Sequence, residues 1–134
     1  MEIGVGLDAS LNLSLAQQED LSQETARLGY TSIWTPEGTG QDSFQLCAQR
    51  WGASRRVSQG GLTTGIAVSP VMYRTPVVFA MSGGTLSELT GGRFIMGQGA
   101  VPTLRDGQVI GACGVGGGTP QEDEDCDRAG IARV

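Results

Sequence analysis

Residues 62–99 read LTTGIAVSPVMYRTPVVFAMSGGTLSELTGGRFIMGQG, and they contain a complete strand–helix–strand pattern. An apolar strand candidate begins at Leu62. The pair Thr75-Pro76 then supplies the N-cap and first-turn proline typical of a helix start. A glycine pair ends that helix, and a second apolar run starts at Arg93. Strand, helix and strand within about 40 residues predict a right-handed crossover between two parallel strands.

The same unit repeats towards the amino terminus. Strand candidates begin 28, 31 and 31 residues apart, at Ile3, Thr31, Leu62 and Arg93. Each gap holds helix punctuation, with a capping box over Ser14 to Gln17 in the first gap and a similar start at Asp42 in the second. The repeat predicts an α/β fold over residues 1–99, a (βα)3 array plus a fourth parallel strand, which amounts to half of a (β/α)8 barrel.

Helical spacing also predicts which side chains are buried. In the second helix an apolar stripe falls at i, i+3, i+4 and i+7, formed by Phe44, Cys47, Ala48 and Trp51. In the first helix one face carries Leu21, Thr25 and Leu28. We expect both sets to face the core.

The sequence changes in character after residue 99. A further strand candidate starts at Gln108, only 15 residues after Arg93, and such a gap is too short for a crossover helix. Asp106-Gly107 favours a hairpin, although Gln108 could instead start a fifth strand of the same sheet. A last helix is predicted from Thr119. We expect residues 100–134 to pack on the core of residues 1–99 as a single domain.

Composition excludes several classes of function. All nine basic residues are arginines, and histidine and lysine are absent, so histidine-dependent catalysis and lysine Schiff bases are ruled out. A net charge of −5 argues against nucleic acid as a partner. Three cysteines without metal-ligand spacing predict no metal site. The acidic amino terminus and the lack of a long apolar run predict a cytoplasmic protein that does not bind membranes.

A family resemblance adds to this reading. ARLGYTSIWTPEGTGQDSFQLCAQRWGAS (residues 26–54) and the stretch quoted above resemble the amino-terminal half of luciferase-like monooxygenases, especially the deazaflavin-dependent oxidoreductases. The resemblance implies a (β/α)8 barrel that binds FMN or a deazaflavin coenzyme and transfers a hydride or adds oxygen. The second half of such a barrel has no counterpart here.

The resemblance also implies where a cofactor would bind. The loop after the second strand would line the pocket, and the third strand would hold a non-proline cis peptide bond at Gly65–Ile66. The implied cofactor-binding residues are Asp8, Trp34, Thr35, Glu37, Gly65, Ile66 and Ser69. No catalytic residue is predicted.

Residue chemistry alone leaves two of these assignments open. Asp8 and Glu37 could form a carboxylate pair at the barrel mouth, although surface roles are favoured. Trp34 could stack on a flavin ring, although packing against a helix is favoured.

The tail has a second resemblance. VPTLRDGQVIGACGVGGGTPQEDEDCDRAGIARV (residues 101–134) is similar to the carboxyl-terminal end of a small haem-binding or haem-degrading family, which implies a chimera. Three hypotheses follow: a truncated relative without catalysis of its own, a flavin- or deazaflavin-binding oxidoreductase active as an oligomer, and a haem or tetrapyrrole carrier. The lack of histidine disfavours haem. Exposed sheet edges predict a homodimer or a larger homo-oligomer.

Overall fold

Four parallel strands form the sheet of the first unit of the chain, in a computed structural model that describes residues 3–96, 100–114 and 119–132. The strands lie in the order β1-β2-β3-β4 and alternate with three helices. The strands are β1 (Gly4–Gly6), β2 (Ser32–Pro36), β3 (Thr63–Val68) and β4 (Phe94–Met96). The helices are α1 (Leu15–Arg27), α2 (Ser43–Ser54) and α3 (Pro76–Thr90). The predicted (βα)3 array with a fourth parallel strand is confirmed.

The helices start where the capping signals predict. Ser14 and Gln17 form a capping box at α1, and the Asp42 carboxylate accepts the Gln45 N–H (3.0 Å) at α2. Thr75 accepts the Val78 N–H (3.3 Å) at α3. These contacts satisfy helix N–H groups that have no partner within the helix, so each start is fixed by its own residues.

The core lies between the sheet and helices α2 and α3. Five buried side chains form it: Phe44, Cys47, Ile66, Leu86 and Phe94. Ala48 packs at its margin, so three residues of the predicted α2 stripe take the expected place. Trp51 does not join this cluster. It is half-buried beneath Arg55, and its indole Nε1 donates to the Gly60 carbonyl (3.2 Å).

Helix α1 buries Thr25 of the predicted face and half-buries Leu21, but it leaves Leu28 in water. Its buried residues are Gln18, Ser22 and Thr25, whereas Leu28 is 67 % exposed. The prediction for Leu28 is therefore wrong. The reason is polar packing against α2, where the Arg50 guanidinium binds the Gln18 side chain and rotates the polar face of α1 inwards.

The second unit is a hairpin followed by a helix. Strands β5 (Ala100–Arg105) and β6 (Gln108–Gly114) pair antiparallel in a two-stranded sheet of their own, and helix α4 (Pro120–Ile131) packs against both. The turn residues Asp106 and Gly107 have φ of 52° and 77°, as a two-residue hairpin requires. The hairpin interpretation is confirmed, and the alternative of a fifth strand in the first sheet is wrong.

Thr119 and Glu122 form the expected capping box at α4. Packing of residues 100–134 on the core of the first unit stays a prediction. Within the described ranges, no helix combines the length and the hydropathy that a membrane span requires.

Candidate functional site

The carboxyl ends of the parallel strands bring polar loops to one edge of the first sheet. Asp8, Glu37 and Ser69 follow β1, β2 and β3, so this edge collects three of the predicted site residues. Asp8 is exposed and caps a short 3-10 helix (Ala9–Leu11), accepting the Ser10 N–H at 2.7 Å. That hydrogen bond lowers the pKa of Asp8. Asp8 therefore shapes its own loop as an ionised carboxylate.

Glu37 lies at the centre of what we call the Arg74 cluster, formed by Glu37, Asp42, Ser43, Ser69 and Arg74. The Arg74 guanidinium donates to both Glu37 oxygens, at 2.6 Å from Nη1 and 2.5 Å from Nη2, and also binds the Asp42 carboxylate. The Ser69 hydroxyl and the Ser43 N–H (3.2 Å) donate to Glu37 as well. The cluster joins the loop after β2, the loop after β3 and the start of α2.

Burial and hydrogen bonding act in opposite directions on Glu37. Burial raises the pKa of its carboxyl, but hydrogen bonds from Arg74, Ser69 and Ser43 outweigh this effect and lower the pKa to about 2. Hydrogen bonding to Glu37 in turn raises the pKa of Arg74. Glu37 is thus an ionised, fully engaged acceptor at neutral pH and a poor proton carrier. Only 8 % of Glu37 is exposed, so the surface role favoured from the sequence is wrong.

The Arg74 cluster borders an open depression of about 550 Å³ at the same edge. Its rim is the loop of residues 37–42, with Tyr73 and Arg74 opposite. The Arg74 guanidinium also lies 4.8 Å from the centroid of the Phe44 ring, so the rim is anchored to the core.

The side of the sheet that carries Gly6, Trp34, Gly65 and Ala67 faces away from α2 and α3, and we call it the open face. Two of the predicted cofactor residues point away from it. Thr35 is buried against α2, where its hydroxyl accepts from Arg50 and from the Cys47 thiol (3.8 Å). Ile66 belongs to the apolar core. Because neighbouring residues of a strand face opposite sides, only the backbone of Thr35 and Ile66 can meet a ligand on the open face.

Trp34 and Gly65 occupy the open face itself. They are partners in the β2–β3 register, and the Trp34 ring lies directly over Gly65. A methyl group at Gly65 would lie 2.4 Å from two ring carbons, so the close approach requires glycine. Trp34 is half-buried and faces away from α2, the helix that its neighbour Thr35 packs against, so the packing against a helix that the sequence favours is not found on that side.

The expected cis bond is absent. The Gly65–Ile66 peptide is trans, like every other peptide bond in the described residues. Gly65 and Ile66 pair in register with β2 on one side and β4 on the other. A regular parallel ladder needs extended trans backbone, and the surroundings impose nothing that would offset the roughly 3 kcal/mol cost of a cis bond.

Sequence reasoning missed Arg74 and Arg50. Arg74 is the only basic residue between positions 57 and 92, and Glu37 follows a buried strand. A carboxylate at that position needs a cation from a neighbouring loop, so Arg74 could have been found by elimination. Arg50 gave no such signal, because it lies within the α2 helix and binds neutral groups.

Four parallel strands, helices on one face and polar loops at the carboxyl edge define half of a (β/α)8 barrel, an architecture that carries its chemistry at this edge. Residues 2–111 match the model of the luciferase-like monooxygenase family, and the chain belongs to that family. The match runs past residue 99, through β5 and into β6.

Two known proteins illustrate the relationship. A Mycobacterium tuberculosis protein whose name describes it as a coenzyme F420-dependent oxidoreductase is 32 % identical over 103 residues, which are 74 % of this chain and 28 % of that protein. The FMN complex of the oxygenating constituent of 3,6-diketocamphane monooxygenase from Pseudomonas putida, a type II Baeyer-Villiger monooxygenase, shares the fold. Its TM-score is 0.57 at 18 % identity, over 76 % of this chain and 30 % of that one. The chain therefore spans about three tenths of the length of both proteins.

Proposed function

We propose that this chain supplies one wall of a pocket for a flavin or 5-deazaflavin ring, and that a single copy does not catalyse oxidoreduction. The open face of the sheet carries the proposal. Beside the Trp34 ring it exposes Gly6 and Ala67, and a methyl group built on Gly6 would meet no atom within 4 Å. A surface of small residues with one aromatic side chain fits a planar, largely apolar ring. The F420-dependent relative and the FMN complex support this class of cofactor.

The residues of this surface fit the ring of the cofactor but not its phosphate. Arg74, the cation at the carboxyl edge, is fully engaged with Glu37 and Asp42, so this edge offers no free cation to a cofactor phosphate in the part of the chain described. The bound ring would supply hydride transfer. The chain's own residues would support and orient it, with the open-face surface of Trp34 and Gly65 beneath and the Arg74 cluster holding the loops at the edge.

The lack of catalysis by a single copy rests on the carboxylates. The pKa values of Asp8 and Glu37 are both lowered, so neither donates a proton near neutral pH. Glu37 also has its oxygens occupied by Arg74, Ser69 and Ser43. General acid or base chemistry needs a group with a pKa near the working pH, and that group would have to come from outside this edge.

We further propose that the pocket is completed in a homodimer. Strands β1 and β4 are the two edges of the sheet, and all four strands are parallel. A two-fold axis along the barrel can therefore pair β4 of one copy with β1 of the other and give eight parallel strands. In this proposal each copy supplies four of the eight strands, and the haem-family origin of the tail stays a prediction.

A fluorescence titration tests the cofactor proposal. The chain has two tryptophans, so Trp51→Phe leaves Trp34 as the only indole. We expect FMN or coenzyme F420 to quench Trp34 emission saturably at micromolar concentration, because the ring lies against the indole. The matched variant Trp34→Phe should show no saturable quenching of Trp51, which lies at the end of α2. Equal quenching of both tryptophans, or none, contradicts ring binding on the open face.

Light scattering tests the assembly. We expect a mass of about twice the 13.9 kDa of one chain at micromolar concentration. Helix α3 adds apolar surface that a single copy leaves in water, since Val77 and Met81 are 68 % and 66 % exposed. A mass of one chain at every concentration contradicts the dimer. It does not contradict ring binding, which the quenching titration tests independently.

A further inference from the structure

The Trp34 indole lies with one face on the sheet and reaches both flanking strands. A methyl group built on Gly65 would overlap the indole atoms Cε3 and Cζ3 equally and would lie 3.1 Å from Cδ2. Because it would be so near to three ring atoms, it would stand beneath the face of the ring and not at its edge. At the other end of the indole, Nε1 and Cδ1 are 3.0 Å and 3.3 Å from a methyl group built on Gly4. The indole therefore extends from β1 to β3, with Gly65 buried beneath it.

The other face of the indole is turned away from the sheet. Trp34 and Ile95 contribute to the lining of a pocket of about 390 Å³ on this side. Ile95 is the partner of Gly65 in the β3–β4 register, and it is 45 % exposed. Since the sheet covers one face of the indole, the outer face is the aromatic surface that Trp34 offers to a ligand, with an apolar side chain on the neighbouring strand.

Such a surface distinguishes the two oxidation states of a flavin-type ring. The indole is electron-rich, whereas the oxidised ring is planar and electron-poor, so the two attract each other when they stack. Reduction adds electrons to the ring and lets it bend, which weakens both the attraction and the flat contact. Stacking between aromatic rings changes an affinity by up to about tenfold.

We propose that the outer face of Trp34 stacks on the cofactor ring and that the site binds the oxidised ring more tightly than the reduced ring. The inference rests on the proposed function, because it concerns the same ring site. Gly65 is a positioning residue, since it lies beneath the indole and acts on the cofactor only through it. A site that prefers the oxidised form lowers the midpoint potential of the bound cofactor, by about 30 mV for a tenfold preference in a two-electron couple. The reduced cofactor is then a stronger hydride donor when bound than when free.

Calorimetric titration with FMN in its oxidised and reduced forms, under anaerobic conditions, tests the proposal. We expect the parent chain to bind oxidised FMN about tenfold more tightly than reduced FMN. Bound oxidised FMN should also absorb at longer wavelengths than free FMN, because stacking allows charge transfer from the indole to the ring. Trp34→Phe keeps an aromatic ring of lower electron density, so it should remove the long-wavelength band and lower the preference to less than about threefold.

A pair of glycine variants tests the positioning role. Gly65→Ala pushes a methyl group into the indole, so it should tilt Trp34 and remove both the band and the preference. Gly52→Ala is the matched control on α2, where a methyl group meets no atom within 4 Å, and it should keep both. If Gly65→Ala fails to fold, Trp34→Phe alone decides the outcome.

The two proposals fail in different ways. Saturable FMN binding without a preference for the oxidised form, or an unchanged preference in Trp34→Phe, overturns the stacking inference and leaves ring binding intact. A preference that Gly65→Ala and Gly52→Ala share equally overturns the positioning role of Gly65. No binding of FMN in either oxidation state contradicts the proposed function and the stacking inference together.

Discussion

Replacing Arg74 with methionine is expected to lower the free energy of unfolding at pH 7 by about 3 kcal/mol, because the change leaves a buried carboxylate without its cation. The side chains of Arg74 and Glu37 are only 10 % and 2 % exposed. In the variant Glu37 keeps the Ser69 hydroxyl and the Ser43 N–H, two neutral donors that do not offset its charge. Urea unfolding followed by far-ultraviolet circular dichroism measures the loss.

Two comparisons separate the buried pair from a general loss of charge. Arg56→Met breaks the exposed ion pair between Arg56 and Glu19, in which the two side chains are 64 % and 32 % exposed. This change should lower the free energy of unfolding by about 0.5 kcal/mol. The double variant Glu37→Gln/Arg74→Met leaves no buried charge, so it should be at least about 1 kcal/mol more stable than the sum of the single effects predicts. Equal losses for Arg74→Met and Arg56→Met, or additive single effects, would show that the Arg74 cluster contributes nothing as a unit.

Acid should remove the same stabilisation. Folding lowers the pKa of Glu37 from 4.5 to about 2, so the contribution is complete above pH 4.5 and is lost as the pH falls towards 2. The full change corresponds to about 3 kcal/mol. Unfolding free energies measured from pH 6 to pH 3 should fall less steeply in Glu37→Gln than in the parent. Parallel curves contradict the lowered pKa.

The elements that the sequence predicts well are those fixed by neighbouring residues. The helix starts at Ser14, Asp42, Thr75 and Thr119 depend on one side chain and an N–H three residues later. The turn at Asp106-Gly107 depends on two residues that tolerate positive φ. Such contacts form over a few residues, so the local sequence is enough to specify them.

Contacts between distant residues were not predicted. Arg74 meets Glu37 across 37 positions and Arg50 meets Gln18 across 32, and both contacts depend on how loops and helices pack. Strand alternation could have divided the cofactor residues, since Trp34 and Thr35 are neighbours and must face opposite sides of the sheet. The same holds for Gly65 and Ile66. A family resemblance names positions along the chain, whereas the face of the strand decides which side chain can touch a ligand.

Arg50 should give the largest loss of stability. We expect Arg50→Ala to lower the free energy of unfolding by about 4 kcal/mol, because it opens a cavity, leaves the buried Gln18 oxygen without a donor and leaves the Thr35 hydroxyl with only the Cys47 thiol as donor. Arg50 is 2 % exposed, and its guanidinium donates to Gln18 Oε1 (3.1 Å from Nε and 2.5 Å from Nη2) and to the Thr35 hydroxyl. Burial lowers the pKa of Arg50, because the charged guanidinium is removed from water. The Gln18 and Thr35 oxygens replace part of that lost hydration. Arg55→Ala, an exposed arginine at the end of the same helix, should cost less than about 1 kcal/mol.

A second substitution tests whether the unpaired Gln18 oxygen is the cause. Gln18→Leu in the parent chain should destabilise the protein, because it removes the acceptor for the buried guanidinium. In the Arg50→Ala background the same change should recover about 1 kcal/mol or more, because it removes an acceptor that no longer has a donor and fills part of the cavity. Urea unfolding of the parent, both single variants and the double variant gives the sign of the Gln18→Leu effect on the free energy of unfolding in each background. If Gln18→Leu destabilises both chains equally, Arg50 acts by its volume alone, and the polar contact between α1 and α2 does not hold the helices together.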